Sequence, residues 1–194
     1  ALFGEGDVLK AIQLLPGVQS ASEGNVGLYI RGGNYDQNMI TLDGATIYNP
    51  EHLKGFISAF NTDILKKVVL YKGGFPAQYG GRLSGIVDVS VSDGNNETYH
   101  GSATIGVLSA KLHAEGPIVR GKTTFNFSGR VSYFDAIAEP VLRSIYDSKN
   151  TLSQYSNMNY YDVTAKVTHK FNNNNRVSAT FYIGQDKVKD SPSS

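Results

Sequence analysis

The sequence predicts an α+β module over residues 1–94, followed by about five antiparallel strands of an outer-membrane type of β-barrel over residues 95–194, a barrel left incomplete in this chain. Three observations point there. The first half mixes helical spacing with short strands and glycine-rich turns. The second half repeats long alternating segments, roughly 12 residues each, near the 9–11 that a tilted strand needs to cross a bilayer. The connections between those segments are very unequal in length.

In the first half, Asp7-Val8-Leu9-Lys10-Ala11-Ile12-Gln13-Leu14-Leu15 puts Val8, Ile12 and Leu15 on one helical face. Asp7 is placed to cap it and Pro16-Gly17 to stop it. Brief strands are predicted over Leu28–Arg31 and Met39–Leu42, separated by the turn formers Gly32 to Asn38. Asn49-Pro50-Glu51 reads as a cap with proline at the first helical position. Leu53, Phe56, Ile57 and Phe60 follow at helical spacing, which predicts a second helix. Strands are then predicted over Lys67–Tyr71 and Ile86–Ser92, with Asp93-Gly94-Asn95-Asn96 as the module boundary.

In the second half, Phe125, Phe127, Val131 and Tyr133 share one face while Thr124, Asn126, Ser128, Arg130 and Ser132 share the other. The division recurs over Tyr160–Phe171 and Val177–Gly184, with aromatics near the ends. A soluble β-sandwich alternates too, so periodicity leaves both architectures open. Loop length favours the barrel: Asn172–Asn175 and Glu115–Lys122 are short, whereas Asp135–Asn159 is a long excursion with a helix expected around Ile137–Tyr146. If the module hands over at the short-turn rim, an odd number of strands must precede that excursion. Tyr99–Glu115 is therefore expected to be two strands turning near Val107-Leu108-Ser109.

Composition narrows the function. The chain has 21 glycines, 12 tyrosines, no tryptophan and 18% charged residues, a mix suited to turn-rich β structure. A net charge of +1 leaves no footprint for nucleic acid. The absence of cysteine removes disulfides and thiolate metal sites. No apolar run approaches the roughly 18 residues of a membrane helix. The chain opens at Ala1 with no charged or apolar leader, so a signal peptide is expected to be absent or lost with a missing N-terminus.

The catalytic motifs fail in instructive ways. Gly4-Glu5-Gly6 lacks a preceding strand and the third glycine of a dinucleotide fingerprint. Gly80-Gly81-Arg82-Leu83-Ser84-Gly85 has no phosphate-binding lysine, misses the nucleophile-elbow spacing by one position and precedes a strand where both motifs need a helix. The four histidines, His52, His100, His113 and His169, are dispersed and form no ligand-spaced cluster, so neither metal nor cofactor is expected. Asn96-Glu97-Thr98 and Asn126-Phe127-Ser128 match a glycosylation pattern short enough to recur by chance. No enzyme is expected.

Leu15-Pro16-Gly17-Val18, Tyr29-Ile30-Arg31-Gly32-Gly33, Ile40-Thr41-Leu42-Asp43-Gly44, Val69-Leu70-Tyr71-Lys72-Gly73-Gly74, Gln78-Tyr79-Gly80-Gly81 and Ser84-Gly85-Ile86-Val87-Asp88-Val89 come in that order. Together they resemble the plug of a TonB-dependent outer-membrane receptor. Glu115-Gly116-Pro117-Ile118 and Phe125 to Tyr133 resemble the first barrel strands of the same family, especially of members with a regulatory-like N-terminal extension. The resemblance implies a plug facing the lumen and periplasm of an outer-membrane barrel of roughly 22 strands. It implies import of a siderophore, cobalamin, glycan or peptide, powered by the inner-membrane coupling protein TonB through a segment not visible ahead of Ala1. Outer-membrane lipid and an outer-membrane lipoprotein are the other implied partners. The expected ligand-contacting residues are Tyr48, Asn49, Glu51 and His52, with Gln78 and Tyr79. Arg31 and Arg82 are expected to pair with wall carboxylates and gate the plug. Two other readings stay open: an outer-membrane protein whose plug-like module occludes another pore, and a soluble β-rich binding module.

Overall fold

The computed structural model describes residues 6–20, 25–81, 84–133, 136 and 158–188. Asp7 starts helix α1 (Val8–Gln13) by accepting from the amides of Leu9 at 2.9 Å and Lys10 at 3.2 Å. The buried face is Leu9 and Ile12, with Leu15 turned outward, because the helix ends before Leu15 can join its stripe. Strand β1 (Val18–Ser20), absent from the sequence expectation, pairs antiparallel with β2 (Leu28–Ile30). Strand β3 (Asn38–Leu42) folds back into β4 (Ala45–Thr46) through Asp43-Gly44, both at positive φ, as a two-residue hairpin requires.

The second predicted helix does not form. In its place β5 (Glu51–His52) and β6 (Ile57–Ser58) make a small hairpin around a 3-10 turn at Leu53–Gly55. Leu53, Lys54 and Gly55 all have positive φ, between 53° and 94°, which a right-handed helix cannot accommodate. The apolar spacing serves the hairpin differently: Leu53 and Phe60 are buried, while Phe56 is exposed.

Strands β7 (Leu65–Tyr71) and β8 (Gly85–Val91) complete a four-stranded sheet in the order β4-β3-β8-β7, with β3 and β8 parallel. Central β8 supplies Val87, Val89 and Val91 to a core shared with Leu9, Ile12 and Ile30. Fully burying an aliphatic side chain of this kind contributes about 1.5–3 kcal/mol. β7 is an edge strand and only half-buried, not the fully covered strand that its apolar run suggested.

A second sheet is an antiparallel meander of five strands in sequence order: β9 (His100–Ile105), β10 (Ser109–Val119), β11 (Thr123–Ser132), β12 (Met158–Lys170) and β13 (Arg176–Val188). The split of the Tyr99–Glu115 region into two strands is as expected. β10 runs further than expected, through Pro117 to Val119, where a register shift lets the chain turn over residues 120–122. The sheet is open, with β9 and β13 as its edges. The helix expected around Ile137–Tyr146 lies outside the described residues.

The polarity of this sheet separates the two architectures left open above. Thr124, Asn126, Ser128, Arg130 and Ser132 of β11 are buried, as are Asp162, Thr164, Lys166 and Thr168 of β12. Their apolar neighbours point away from the module: Val131, Val167, Phe181 and Ile183 are all exposed. A soluble sandwich buries its apolar face; here the module covers the polar one. That inside-out arrangement belongs to a wall with hydrocarbon outside and polar contents inside.

Candidate functional site

The seam between the module and the polar face is a chain of charge-assisted contacts. Toward the short-turn rim, Lys166 reaches out of β12 to Asp43 at 3.1 Å, Asp93 at 3.0 Å and the carbonyl of Val91 at 2.8 Å. Thr180 of β13 donates to Asp43 at 2.6 Å, so the hairpin turn after β3 is held from two strands. Asp93 also meets Lys66 at 3.2 Å and Arg176 at 3.1 Å. Burial acts to raise the Asp93 carboxyl, but Lys166 and Lys66 outweigh it and hold the group below the ordinary carboxylate range. Gly94 follows at a φ of +84°, where an added Cβ would collide with the carbonyl of Phe125. The chain can pass into the wall there only without a side chain.

Halfway up, Asn61 bonds Ser128, and Asn126 donates to the carbonyl of Ser92 at 3.1 Å. At the far end, Arg130 pairs with Asp162 at 2.8 Å and donates to the carbonyl of Ser58 in β6 at 2.7 Å. His52 lies between the strands' acids, 2.6 Å from Asp186 and 3.4 Å from Asp162, with its ring stacked on Tyr160 at 4.7 Å. The amide of Leu53 donates to Asp186 at 3.2 Å. Groups this buried are expensive to separate one at a time.

The predicted ligand residues divide. Tyr48, Asn49, Glu51 and His52 all line a cavity of about 290 Å³, closed on the other side by Tyr182 and Asp186 of β13. Tyr48 is almost fully exposed at its mouth, at 86%. Burial, then the nearby Asp186 charge, raises the Glu51 carboxyl above its ordinary range. His52 is buried and committed to the seam. Gln78 and Tyr79 sit on the loop after β7, Tyr79 against the Tyr71 ring at 5.6 Å, and do not line that cavity.

Of the two expected gating arginines, Arg31 alone falls among the described residues. Arg31 is exposed, at a φ of 51° beside Gly73, and meets no carboxylate of these five strands among the described residues. Arg82 lies outside the described residues. Lys166, Arg130, Asp43 and Asp93 make contacts that link the module to these five strands. The sequence signal for them was available: Arg130, Asp162 and Lys166 are charged residues inside strand stretches, on the face opposite the aromatics. Among the described residues no cluster of acids and histidines is placed to hold a metal.

A small α+β module held by ionic contacts against the polar face of an open, outward-apolar sheet defines a plug seated on a barrel wall. Residues 2–87 match the family model of the TonB-dependent receptor plug domain. The fold is similar to the crystal structure of the siderophore receptor PirA from Pseudomonas aeruginosa, with a TM-score of 0.62 at 15% identity over 93% of this chain. This chain spans 31% of that receptor's length. No curated protein matches it.

Proposed function

We propose that the chain is the plug, residues 1–94, and the opening wall strands, residues 95–194, of an outer-membrane receptor that imports its ligand by energy-coupled transport and is not an enzyme. The observation that carries this reading is the inverted polarity of the five-stranded sheet, apolar outward and polar toward the plug. The short turns then face the periplasm. The coupling protein TonB would engage the receptor from the periplasm, and an outer-membrane lipoprotein would cap it.

The ligand would meet the cavity formed by Tyr48, Asn49, Glu51 and Asp186. An aromatic at the mouth with carboxylates and an amide below suits a polar, hydrogen-bonding ligand. Siderophores, cobalamin, glycans and peptides all fall within that class. Growth of a deletion strain complemented with the full-length gene, on each of these as the sole source of iron, cobalamin, carbon or nitrogen, tests it. One source should depend on the gene, and Tyr48→Ala should raise the concentration needed for half-maximal growth about tenfold, the loss of one aromatic anchor. Gene-independent growth on all four would overturn the transport reading; an unchanged requirement in the variant would remove Tyr48 from the site.

A further inference from the structure

Beneath the plug, at the short-turn rim, lies a second cavity of about 360 Å³ that the transport reading does not use. Four cationic side chains line it, Lys66, Lys122, Lys170 and Arg176, against a single carboxylate, Asp93. Asp93 is already engaged by Lys166, Arg176 and Lys66. Lys122 and Lys170 are brought side by side because the amide of Lys170 donates to the carbonyl of Lys122 at 2.8 Å. Among the described residues neither ammonium meets a carboxylate. The cavity thus concentrates uncompensated positive charge in a concave, polar setting, which attracts anions and repels cations.

Position narrows the kind of anion. Phe171 follows Lys170 directly and is exposed, and exposed Ile118 and Val119 precede the turn that carries Lys122. The cationic cluster therefore lies level with the end of the outward apolar band, the depth of headgroup phosphates, and opens at the rim on the plug side of the wall, where Thr124 and Thr168 also face. We propose that this cavity is a phosphate-binding site, with Lys122 and Lys170 as point-charge donors and Arg176 as a planar one. The phosphate is that of a free anion or of an anionic phospholipid headgroup at the rim; the charge pattern is the same for both.

Two arms test the site with the purified full-length protein. In nonionic detergent, inorganic phosphate is titrated against chloride at matched ionic strength, and the thermal unfolding midpoint is followed. In nanodiscs, phosphatidylglycerol is compared with phosphatidylcholine. Stabilisation in either arm, weakened about tenfold in apparent affinity by Lys122→Gln with Lys170→Gln, supports the site and identifies its source. Both lysines are exposed, and heat-modifiable gel migration confirms that the variant barrel has folded. Arg176→Gln alone should weaken the same arm. No stabilisation in either arm, an unaltered response in the double variant, or binding of polyglutamate without phosphate would overturn it.

Discussion

Lys166→Met in the full-length receptor is expected to loosen the plug by about 2–3 kcal/mol, below the 3–5 typical of a fully buried broken pair. The reduction follows from the partners' surroundings. Asp43 and Asp93 keep about a fifth of their side-chain surface in solvent, and Asp93 retains Lys66 and Arg176. Removing the ammonium still strands the Asp43 carboxylate against the wall and leaves the carbonyl of Val91 without its donor. Adding Asp43→Asn to the variant should restore part of the loss, because the stranded charge goes with it. Protease sensitivity of the plug in intact outer membranes reads the effect. A wild-type digestion pattern would show that the ionic seam does not hold the plug.

The same anchor fixes a pH dependence. The Asp93 carboxyl is depressed in the folded state, so its contribution is fully present above the ordinary carboxylate value and is lost as pH falls through the lower folded one. Plug release in wild type should therefore steepen in that acid window, and Lys166→Met should flatten it.

Phe181→Arg carries the second large expected effect. Phe181 is exposed near the middle of β13 and pairs with Ala165 on the face away from the plug. On a surface facing water, such a substitution changes stability by about 0.5 kcal/mol or less. Near a bilayer midplane, an arginine on a barrel's lipid face costs about 2–4 kcal/mol. Urea-dependent refolding into phospholipid vesicles distinguishes the two. A penalty near the smaller figure would place that face in water and revive the soluble reading.

Much of this arrangement was legible in the residues, and the failures have physical causes. Alternation along β11, β12 and β13 fixed both strand type and face, because a period of two survives any tertiary context. It could not say which face is inward, since a sandwich and a barrel share the pattern; only the packing of the plug against Thr124 to Ser132 decides that. The false helix after Pro50 shows the limit of spacing. Leu53, Phe56, Ile57 and Phe60 satisfy a helical template, yet Leu53-Lys54-Gly55 adopts left-handed backbone so that the β5–β6 hairpin can reach Asp186 and Arg130. Those partners lie more than 70 residues away in sequence, beyond any local rule. The glycine-rich stretch after Tyr71 is a matter of backbone geometry, with Gly74 and Gly81 at positive φ.

The candidate site was half visible. Tyr48 to His52 were singled out as one loop, and they do line one cavity. The wall side of that cavity, Tyr182 and Asp186, was hidden because β13 looked like one more amphipathic strand. Across the seam the wall supplies Lys166 and Arg130, and the plug answers with Asp43, Asp93 and the carbonyl oxygens of Val91 and Ser58.

The central claim is that the polar face of the five-stranded sheet holds the plug while its apolar face meets lipid. Single cysteines at residues 124 to 131 of β11, in a full-length receptor otherwise free of cysteine, test it most directly. Each would carry a fluorophore in native-composition vesicles containing nitroxide-labelled lipid. The account predicts strong quenching at 125, 127, 129 and 131 and little at 124, 126, 128 and 130. Equal quenching along the strand, or the opposite alternation, would contradict it.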